Sequence, residues 1–196
     1  MSTTNLVNVL KLENEDFEFY PTSPAMLEYI HAQMLRDFNR RLGKSSDKLY
    51  CSVLDVGAGA GGAVTALTQG KRFAIEKSQR LLSEMPREVI VLGTDFFSQS
   101  LIDKRCDVVF SNPPFSIFES WSVKLINEAN CAYIYLVVPQ RWKDNEAINT
   151  AIKDRSGDAV VIWSGDFREA DRVARARVDI VKIRLIDTSR WNHYTS

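Results

Sequence analysis

Short apolar runs alternate with amphipathic stretches along most of the chain. Apolar runs bounded by turn residues predict buried strands, and apolar residues spaced roughly three to four positions apart predict helices. The predicted strands are 51–56, 72–76, 88–93, 107–112, 132–139, 158–163 and 177–186. The predicted helices are 24–42, 63–69, 78–85, 117–129 and 145–153.

This alternation predicts an α/β, Rossmann-like fold with a mostly parallel sheet covered by helices on both faces. The last predicted strand alternates apolar with charged residues, which is typical of an edge or antiparallel strand. The chain shows no linker or repeat, so we expect one domain over 1–196, in which an N-terminal segment and helix (1–50) precede the sheet core (51–196). Ligands of such folds bind beyond the carboxyl ends of the strands.

Composition narrows the choice of function only a little. The 196 residues include 25 basic and 25 acidic side chains, so the formal net charge is zero. The chain therefore lacks the overall positive charge that would indicate a nucleic-acid-binding protein. Cys51, Cys106 and Cys131 each begin an apolar run and lack metal-ligand spacing, which predicts buried thiols and no metal site. The N-terminus does not resemble a signal peptide and no apolar run approaches about 20 residues, so a cytoplasmic protein without membrane contact is expected.

A glycine-rich loop, DVGAGAGG, starts at Asp55 and follows the first predicted strand. Glycine lets the backbone turn sharply and approach a ligand closely. Gly57, Gly59 and Gly62 fit the G-x-G-x-x-G pattern of dinucleotide-binding proteins. Gly57, Gly59 and Gly61 fit D-x-G-x-G-x-G equally well, so both a nicotinamide dinucleotide and another nucleoside cofactor remain open at this point.

Acidic residues also end the next two predicted strands. Glu76 lies 21 residues after Asp55, where a carboxylate can bind ribose hydroxyls. Asp95 and Phe96 follow the third strand, and each alone is equally compatible with a turn or the core. Candidate ligand-binding residues after three successive strands favour a cofactor site.

The fourth predicted strand runs into Asn112-Pro113-Pro114-Phe115. Proline fixes φ, so this corner is stiff. The tetrapeptide resembles the (Asn/Asp/Ser)-Pro-Pro-(Tyr/Phe) motif of amino-methyltransferases, chiefly those acting on N6 of adenine, and D-x-G-x-G-x-G resembles motif I of class I S-adenosylmethionine (SAM) methyltransferases. The resemblance implies that all four residues form the catalytic corner: the Asn112 oxygen and Pro113 carbonyl hold the amine hydrogens, and Phe115 stacks on the base.

The same resemblance assigns the cofactor residues. It implies that Asp55, Gly57, Gly59 and Glu76 bind SAM, that Asp95 meets the adenine amino group of SAM, and that Phe96 packs on its ring. "YPTSP" resembles motif X of DNA adenine methyltransferases of restriction-modification and phage type, which implies that Tyr20, Pro21 and Thr22 cover the methionine end. The segment that resembles motif X precedes the one that resembles motif I, which is the order seen in the gamma group of these methyltransferases.

The residues beyond Pro139 carry the substrate expectations. Arg141, Trp142 and Lys143 combine an aromatic ring with two cations, which suits a nucleic-acid surface as well as an ordinary loop. The arginine-rich stretch 164–179 has the same two interpretations. Many gamma-group enzymes carry a target-recognition domain, whereas only 57 residues follow Pro139 here. The recognised target sequence is therefore expected to be short, or sequence specificity is absent or supplied by a partner protein. A homodimer also remains open.

These observations predict SAM-dependent methylation of the exocyclic N6 amine of adenine in DNA. The leading alternative is the same chemistry on structured RNA, and a protein glutamine amide is a more distant target. A non-catalytic binding or decoy protein with this fold is a third hypothesis. A dinucleotide oxidoreductase is the fourth, and it is disfavoured because it has no need of the Asn-Pro-Pro-Phe corner.

Overall fold

We analysed a computed structural model that describes residues 3–12, 18, 20–42, 47–155, 157–166 and 177–185. Within these residues, seven strands form a single sheet. They are β1 (Val53–Val56), β2 (Arg72–Ile75), β3 (Val89–Gly93), β4 (Val108–Ser111), β5 (Tyr133–Pro139), β6 (Asp158–Asp166) and β7 (Arg177–Arg184). Each overlaps a predicted strand, and β6 extends three residues further than the apolar run that predicts it.

The helices of the described residues flank this sheet. They are α1 (Thr3–Leu12), α2 (Pro24–Leu42), α3 (Gly62–Leu67), α4 (Gln79–Glu84), α5 (Phe118–Glu128) and α6 (Glu146–Asp154). The amphipathic pattern predicts the bounds of α2, and α1 lies outside the predicted elements. Short 3-10 turns follow two of the strands, over Phe96–Ser98 and Gln140–Asp144.

The strands lie in the order β3-β2-β1-β4-β5-β7-β6. The first five are parallel to one another, and β7 runs antiparallel to both of its neighbours. The predicted mostly parallel sheet with an antiparallel last strand is confirmed. The alternative of an edge position for β7 is wrong, because β7 lies between β5 and β6 and most of its residues are buried.

Two hydrophobic layers cover the sheet, one on each face. Alternate residues of β5 show the division, because side chains of a strand point to opposite faces in turn. Ile134 and Leu136 pack with the apolar residues of α5 and α6. Tyr135 and Val137 pack with those of α2 and α3. Both layers are therefore continuous from helix to strand, as expected for a doubly covered parallel sheet.

Helix α2 is also tied to the sheet by polar groups. The Asp37 carboxylate accepts a hydrogen bond from the Tyr135 hydroxyl at 3.2 Å and from Lys182 Nζ at 2.8 Å. These contacts hold the helix that follows the Tyr20–Thr22 segment. Helix α2 therefore has a defined position over the sheet.

The three cysteines are free thiols, and Cys51 and Cys106 are buried as predicted, whereas Cys131 is half-buried. Burial raises the pKa of Cys51 and of Cys106 to about 12, so both remain protonated at neutral pH. Among the described helices, none combines the length and apolar character that a membrane span requires.

The register of the sheet places the predicted site residues side by side. Val56 at the end of β1 pairs with Ile75 of β2 on one side and with Ser111 of β4 on the other. The residues that follow these positions are Gly57, Glu76 and Asn112. The loops that carry them consequently leave the sheet at one level.

Candidate active site

A cavity of about 600 Å³ opens beyond the carboxyl ends of β1 to β4. The loops after these strands line it together with the segment before α2. All nine residues predicted to bind the cofactor are among the lining residues: Tyr20, Pro21, Thr22, Asp55, Gly57, Gly59, Glu76, Asp95 and Phe96. The structure thus brings together these nine residues from four separate segments of the chain.

The glycine loop distinguishes the two motif interpretations. Gly57, Gly59 and Gly61 have φ angles of +80°, +56° and +78°, in the left-handed region that other residues rarely adopt. Gly62 is the first residue of α3, and a side chain there would meet open space. The backbone therefore needs glycine at the positions of D-x-G-x-G-x-G, and it does not need the third glycine of G-x-G-x-x-G.

Replacing Gly57 with alanine is expected to lower stability by about 1–2 kcal/mol, because a Cβ is unfavourable at positive φ. The added Cβ would also lie 3.3 Å from Trp121 Cζ2, in a tight contact. Gly62→Ala is the matched control, since alanine fits a helix better than glycine. Thermal unfolding should show a lower Tm for Gly57→Ala and an equal or higher Tm for Gly62→Ala. Equal effects of both changes would contradict this account of the loop.

Two carboxylates lie together under the cavity, and they differ in their partners. Glu76 accepts hydrogen bonds from the backbone N–H of Gly59 at 2.7 Å and from that of Ser78 at 2.8 Å. Asp55 is 1% exposed, and no described residue makes a hydrogen bond to either of its oxygens. A buried acceptor without a partner is rare and costly, so it indicates a site for a ligand.

Electrostatics around Asp55 support the same inference. Burial raises the pKa of its carboxyl group, and the charge of Glu76 raises it further. The backbone N–H of Val64 does not meet hydrogen-bond geometry but is near enough to offset part of the rise, and the pKa is about 8. Two adjacent carboxylates in a buried site favour a positively charged ligand. SAM carries a sulfonium and an ammonium group, so these residues fit it.

The loop after β3 carries one polar and two aromatic lining residues. Asp95 Oδ1 accepts a hydrogen bond from the Phe97 backbone at 3.0 Å and so caps the 3-10 turn. Phe96 is 3% exposed and packs 4.6 Å from the ring of Trp121, whereas Phe97 is 47% exposed. Asp95 therefore combines turn capping with a place in the cavity wall, and two aromatic rings rather than one line this side.

The Asn-Pro-Pro-Phe corner is held by the N-terminal segment. Asn112 Nδ2 donates hydrogen bonds to the Tyr20 carbonyl at 2.7 Å and to Thr22 Oγ1 at 3.2 Å. Asn112 Oδ1 is buried and has no hydrogen-bond partner among the described residues. Asn112 and Pro114 line the cavity, and Pro113 is buried outside its wall. The corner thus presents a buried acceptor to which no group in the described part of the chain donates.

Phe115 is not among the residues that line this cavity. Its ring lies parallel to that of Tyr20, with 5.8 Å between the ring centroids and 10° between the planes. Its carbonyl accepts a hydrogen bond from Arg141 Nη2 at 3.0 Å. In this structure Phe115 packs the N-terminal segment against the corner, and its predicted contact with a target base stays a prediction.

The predicted substrate triplet has three different environments. Arg141 is exposed, with its guanidinium 4.7 Å from the ring of Phe118. Lys143 is 49% exposed and pairs with Asp179 at 3.0 Å. Trp142 is only 7% exposed, and its indole N–H donates to Asp179 at 3.0 Å. The expected stacking surface at Trp142 is therefore corrected, because its ring belongs to the core.

Asp179 is a structural centre that the sequence pattern did not indicate. It is fully buried on β7 and also accepts hydrogen bonds from Gln140 Nε2 and Ser164 Oγ. Burial alone raises the pKa of its carboxyl group, but the hydrogen bonds from Ser164, Lys143 and Trp142 outweigh it and hold the pKa below its ordinary value. Asp179 therefore anchors the turn that carries Arg141. The alternation of apolar and charged residues in this strand does not distinguish a buried charge from a solvent-facing one.

Other contributors to the site were also missed. Trp121 lines the cavity and donates through Nε1 to Ser111 Oγ at 3.0 Å, and Ser111 Oγ donates to the Val56 carbonyl at 2.6 Å. Ser111 is the polar end of an otherwise apolar strand, which is a signal that could have identified it. Glu18 also lines the cavity. Arg168, Arg172 and Arg175 of the arginine-rich stretch 164–179 lie outside the described residues.

Comparisons with known proteins agree with this architecture. No protein-family model matches the chain. Ribosomal RNA small subunit methyltransferase C of Actinobacillus pleuropneumoniae serotype 7 is 34% identical over 93 residues, which cover 42% of this chain and 26% of that protein. The chain therefore spans about a quarter of the length of this curated relative.

Solved structures resemble the chain over most of its length. A dimethyladenosine transferase from Plasmodium falciparum has a TM-score of 0.66 at 17% identity, covering 90% of this chain and 66% of that one. The 23S rRNA methyltransferase ErmE has a TM-score of 0.63 at 13% identity, covering 86% of this chain and 70% of that one. The chain has the Rossmann-like fold of the class I methyltransferases, whose cofactor is S-adenosylmethionine.

Proposed function

We propose that this chain transfers a methyl group from SAM to the exocyclic N6 amine of adenine in RNA. The observation that carries the proposal is the buried, unpartnered Oδ1 of Asn112 in the wall of the cavity. An acceptor in this position suits a target group that donates hydrogen bonds. The amine of adenine is such a group, and a dimethyladenosine transferase is among the structures that the chain resembles.

Asn112 acts on the amine by holding one of its hydrogens. The lone pair of an exocyclic amine is delocalised into the base, which makes the nitrogen a weak nucleophile. When bound, SAM supplies a methyl carbon activated by its positively charged sulfur. The Asn112 oxygen and, as the resemblance implies, the Pro113 carbonyl hold the two hydrogens so that the lone pair turns out of the ring plane. The preorganised dipoles of the Asn112 amide and the Pro113 carbonyl also stabilise the positive charge that develops on nitrogen.

The proposed cofactor contacts follow from the cavity wall. Asp55 and Glu76 supply negative charge, and the backbone of the glycine loop allows close approach. The oxygens of Glu76 are oriented by the amides of Gly59 and Ser78. Asp95 and the aromatic rings of Phe96 and Phe97 supply the polar and apolar surface that an adenine ring requires. The Asn112 and Pro113 oxygens accept hydrogen bonds but take up no proton, so the proton that the methylated nitrogen loses after transfer goes to water.

RNA is preferred to DNA as the substrate because of the relatives. One curated relative is named for small-subunit ribosomal RNA, and ErmE is named for 23S rRNA. The motif X resemblance of the N-terminal segment favours DNA instead. Both polymers carry the same adenine amine, so the corner serves either. The choice between them is therefore made by surfaces outside the cavity.

Labelled SAM distinguishes these substrates directly. The protein is incubated with methyl-labelled SAM and equal amounts of unmodified ribosomal RNA, unmethylated DNA and a protein mixture, and the labelled nucleoside is identified after digestion. We expect N6-methyladenosine from RNA. Label in DNA alone would overturn the choice of RNA, and label in protein alone or in no acceptor would overturn the proposal.

Cofactor binding is tested separately by thermal unfolding. A ligand that binds only the folded state raises Tm as its concentration exceeds Kd. We expect SAM to raise Tm and NAD to leave it unchanged. A rise with NAD alone would favour the dinucleotide interpretation. A rise with SAM but no transfer would favour a non-catalytic binding protein.

A further inference from the structure

We propose that Thr22 is a positioning residue for catalysis: together with the Tyr20 carbonyl, it fixes the amide of Asn112 so that the oxygen, and not the nitrogen, is offered to the target. The inference rests on the proposed function and assigns Thr22 a role that differs from the cofactor contact implied by the motif X resemblance. It also makes the N-terminal segment a determinant of which chemical group the site accepts.

The argument starts from the shape of a side-chain amide. Its oxygen accepts hydrogen bonds and its nitrogen donates two, although the two ends occupy nearly the same space. Packing alone therefore cannot choose between the two orientations of Asn112. Hydrogen-bond partners have to make the choice.

Asn112 Nδ2 donates to two oxygens: the Tyr20 carbonyl, which can only accept, and the Thr22 hydroxyl, which can accept or donate. The Tyr20 carbonyl lies 2.7 Å away and Thr22 Oγ1 lies 3.2 Å away, so each of the two N–H groups has a partner. Rotating the amide by half a turn would place Oδ1 against the Tyr20 carbonyl, with two acceptors in contact. The carbonyl therefore sets the orientation, and the Thr22 hydroxyl adds the second hydrogen bond that holds the amide in it. The segment thus selects the orientation in which the unpartnered oxygen remains for the target.

The segment that carries these acceptors is itself held by residues that follow Asn112. Glu18 Oε2 accepts a hydrogen bond from the Ser116 backbone at 3.0 Å, and the ring of Tyr20 is stacked on that of Phe115. Glu18 adopts a positive φ of 56°, which is uncommon for a residue other than glycine. The segment and the corner are therefore also joined at Phe115 and Ser116, three and four residues after Asn112.

This arrangement has a consequence for the choice of target. With its oxygen fixed, Asn112 accepts a hydrogen bond and does not donate one at the cavity. A primary amine satisfies this requirement. A carbonyl in the same place, such as the oxygen that replaces the amine in inosine, would face another oxygen and be rejected.

Thr22→Val tests the proposal because valine keeps the branched shape and removes the hydroxyl. We expect kcat to fall five- to twentyfold, with the Kd of SAM unchanged within about twofold. Thr22→Ser restores a hydroxyl and should recover most of the lost kcat. Thr150→Val, an exposed change on α6, is the matched control and should leave both constants unchanged. A raised Kd of SAM with unchanged kcat would instead make Thr22 a cofactor residue and overturn the proposal.

A second measurement separates this proposal from the proposed function. The side-chain NH₂ signal of Asn112 is identified by nuclear magnetic resonance through its loss in Asn112→Ala, and its hydrogen exchange is measured without substrate. We expect exchange to be at least fivefold faster in Thr22→Val than in the wild type, and slowed again in Thr22→Ser. Unchanged exchange would overturn the positioning role. If exchange is faster in Thr22→Val but the wild-type protein methylates no acceptor, the proposed function is refuted, whereas the role of Thr22 in holding the Asn112 amide is supported.

Discussion

Replacing Asn112 with alanine is expected to lower kcat by a factor of about 10²–10³, the usual effect of removing one preorganised polar group that stabilises developing charge. The change removes the unpartnered Oδ1 from the cavity wall. The Kd of SAM should change little, because the carboxylates and glycine loop remain. Single-turnover transfer from labelled SAM measures the first quantity, and calorimetric titration measures the second.

The control for this prediction is Asn127→Ala, an equivalent truncation at an exposed position of α5. It should alter neither kcat nor the Kd of SAM. Asn112→Ala also removes two hydrogen bonds to the N-terminal segment, so a loosened segment would appear as weaker SAM binding. A variant that keeps more than a third of the wild-type kcat would refute the role of Asn112.

The second large effect concerns Asp55. Its pKa of about 8, raised above the ordinary 3.8 mainly by burial, means that the folded chain holds a proton that the unfolded chain releases. The wild-type free energy of unfolding should therefore fall as pH rises from about 4 to 8. Asp55→Asn removes this titration, and we expect it to stabilise the SAM-free protein by about 2–4 kcal/mol at pH 8, since one pKa unit corresponds to about 1.4 kcal/mol.

The same variant should bind SAM much more weakly. A neutral amide cannot balance a cationic ligand, so we expect a rise in Kd of at least about thirtyfold, which corresponds to about 2 kcal/mol. In the wild type, binding should release a proton near pH 7, because a nearby positive charge favours the ionised form of Asp55.

Urea unfolding at pH 5 and pH 8 checks the stability of Asp55→Asn, and the difference from the wild type should shrink at pH 5. Calorimetric titration in two buffers of different ionisation enthalpy checks the proton release. Wild-type stability that is independent of pH between 5 and 8, with no proton released on binding, would contradict the placement of a buried, protonated Asp55. Glu84→Gln, an exposed change on α4, is a control for the loss of one carboxylate.

The sequence predicts the fold well because hydrophobic periodicity and topology act together. Apolar runs identify the strands, and the preference of strand-helix alternation for parallel sheets places their carboxyl ends on one edge. That rule alone predicts that Asp55, Glu76, Asp95 and Asn112 meet, although they lie after four different strands. Their presence in one cavity wall follows from it. Their individual roles in binding and transfer remain predictions.

The contacts that the sequence does not predict join residues far apart in the chain. Trp142 and Asp179 are 37 positions apart, and Asn112 and Tyr20 are 92 apart. An aromatic residue between two cations looks the same in sequence whether its ring faces water or a buried carboxylate. The interpretation of Trp142 as a surface residue failed for this reason, since only the packed structure places Asp179 beneath it.

The position of β7 has a consequence for biosynthesis. It is the last of the described strands to leave the ribosome, yet it lies inside the sheet, between β5 and β6. Until it emerges, β6 lacks the strand with which it pairs, and the turn carrying Arg141 lacks its Asp179 anchor. A nascent chain arrested before residue 177 would hold a complete glycine loop beside an unfinished sheet, so the full seven-stranded sheet can be assembled only after translation of this segment.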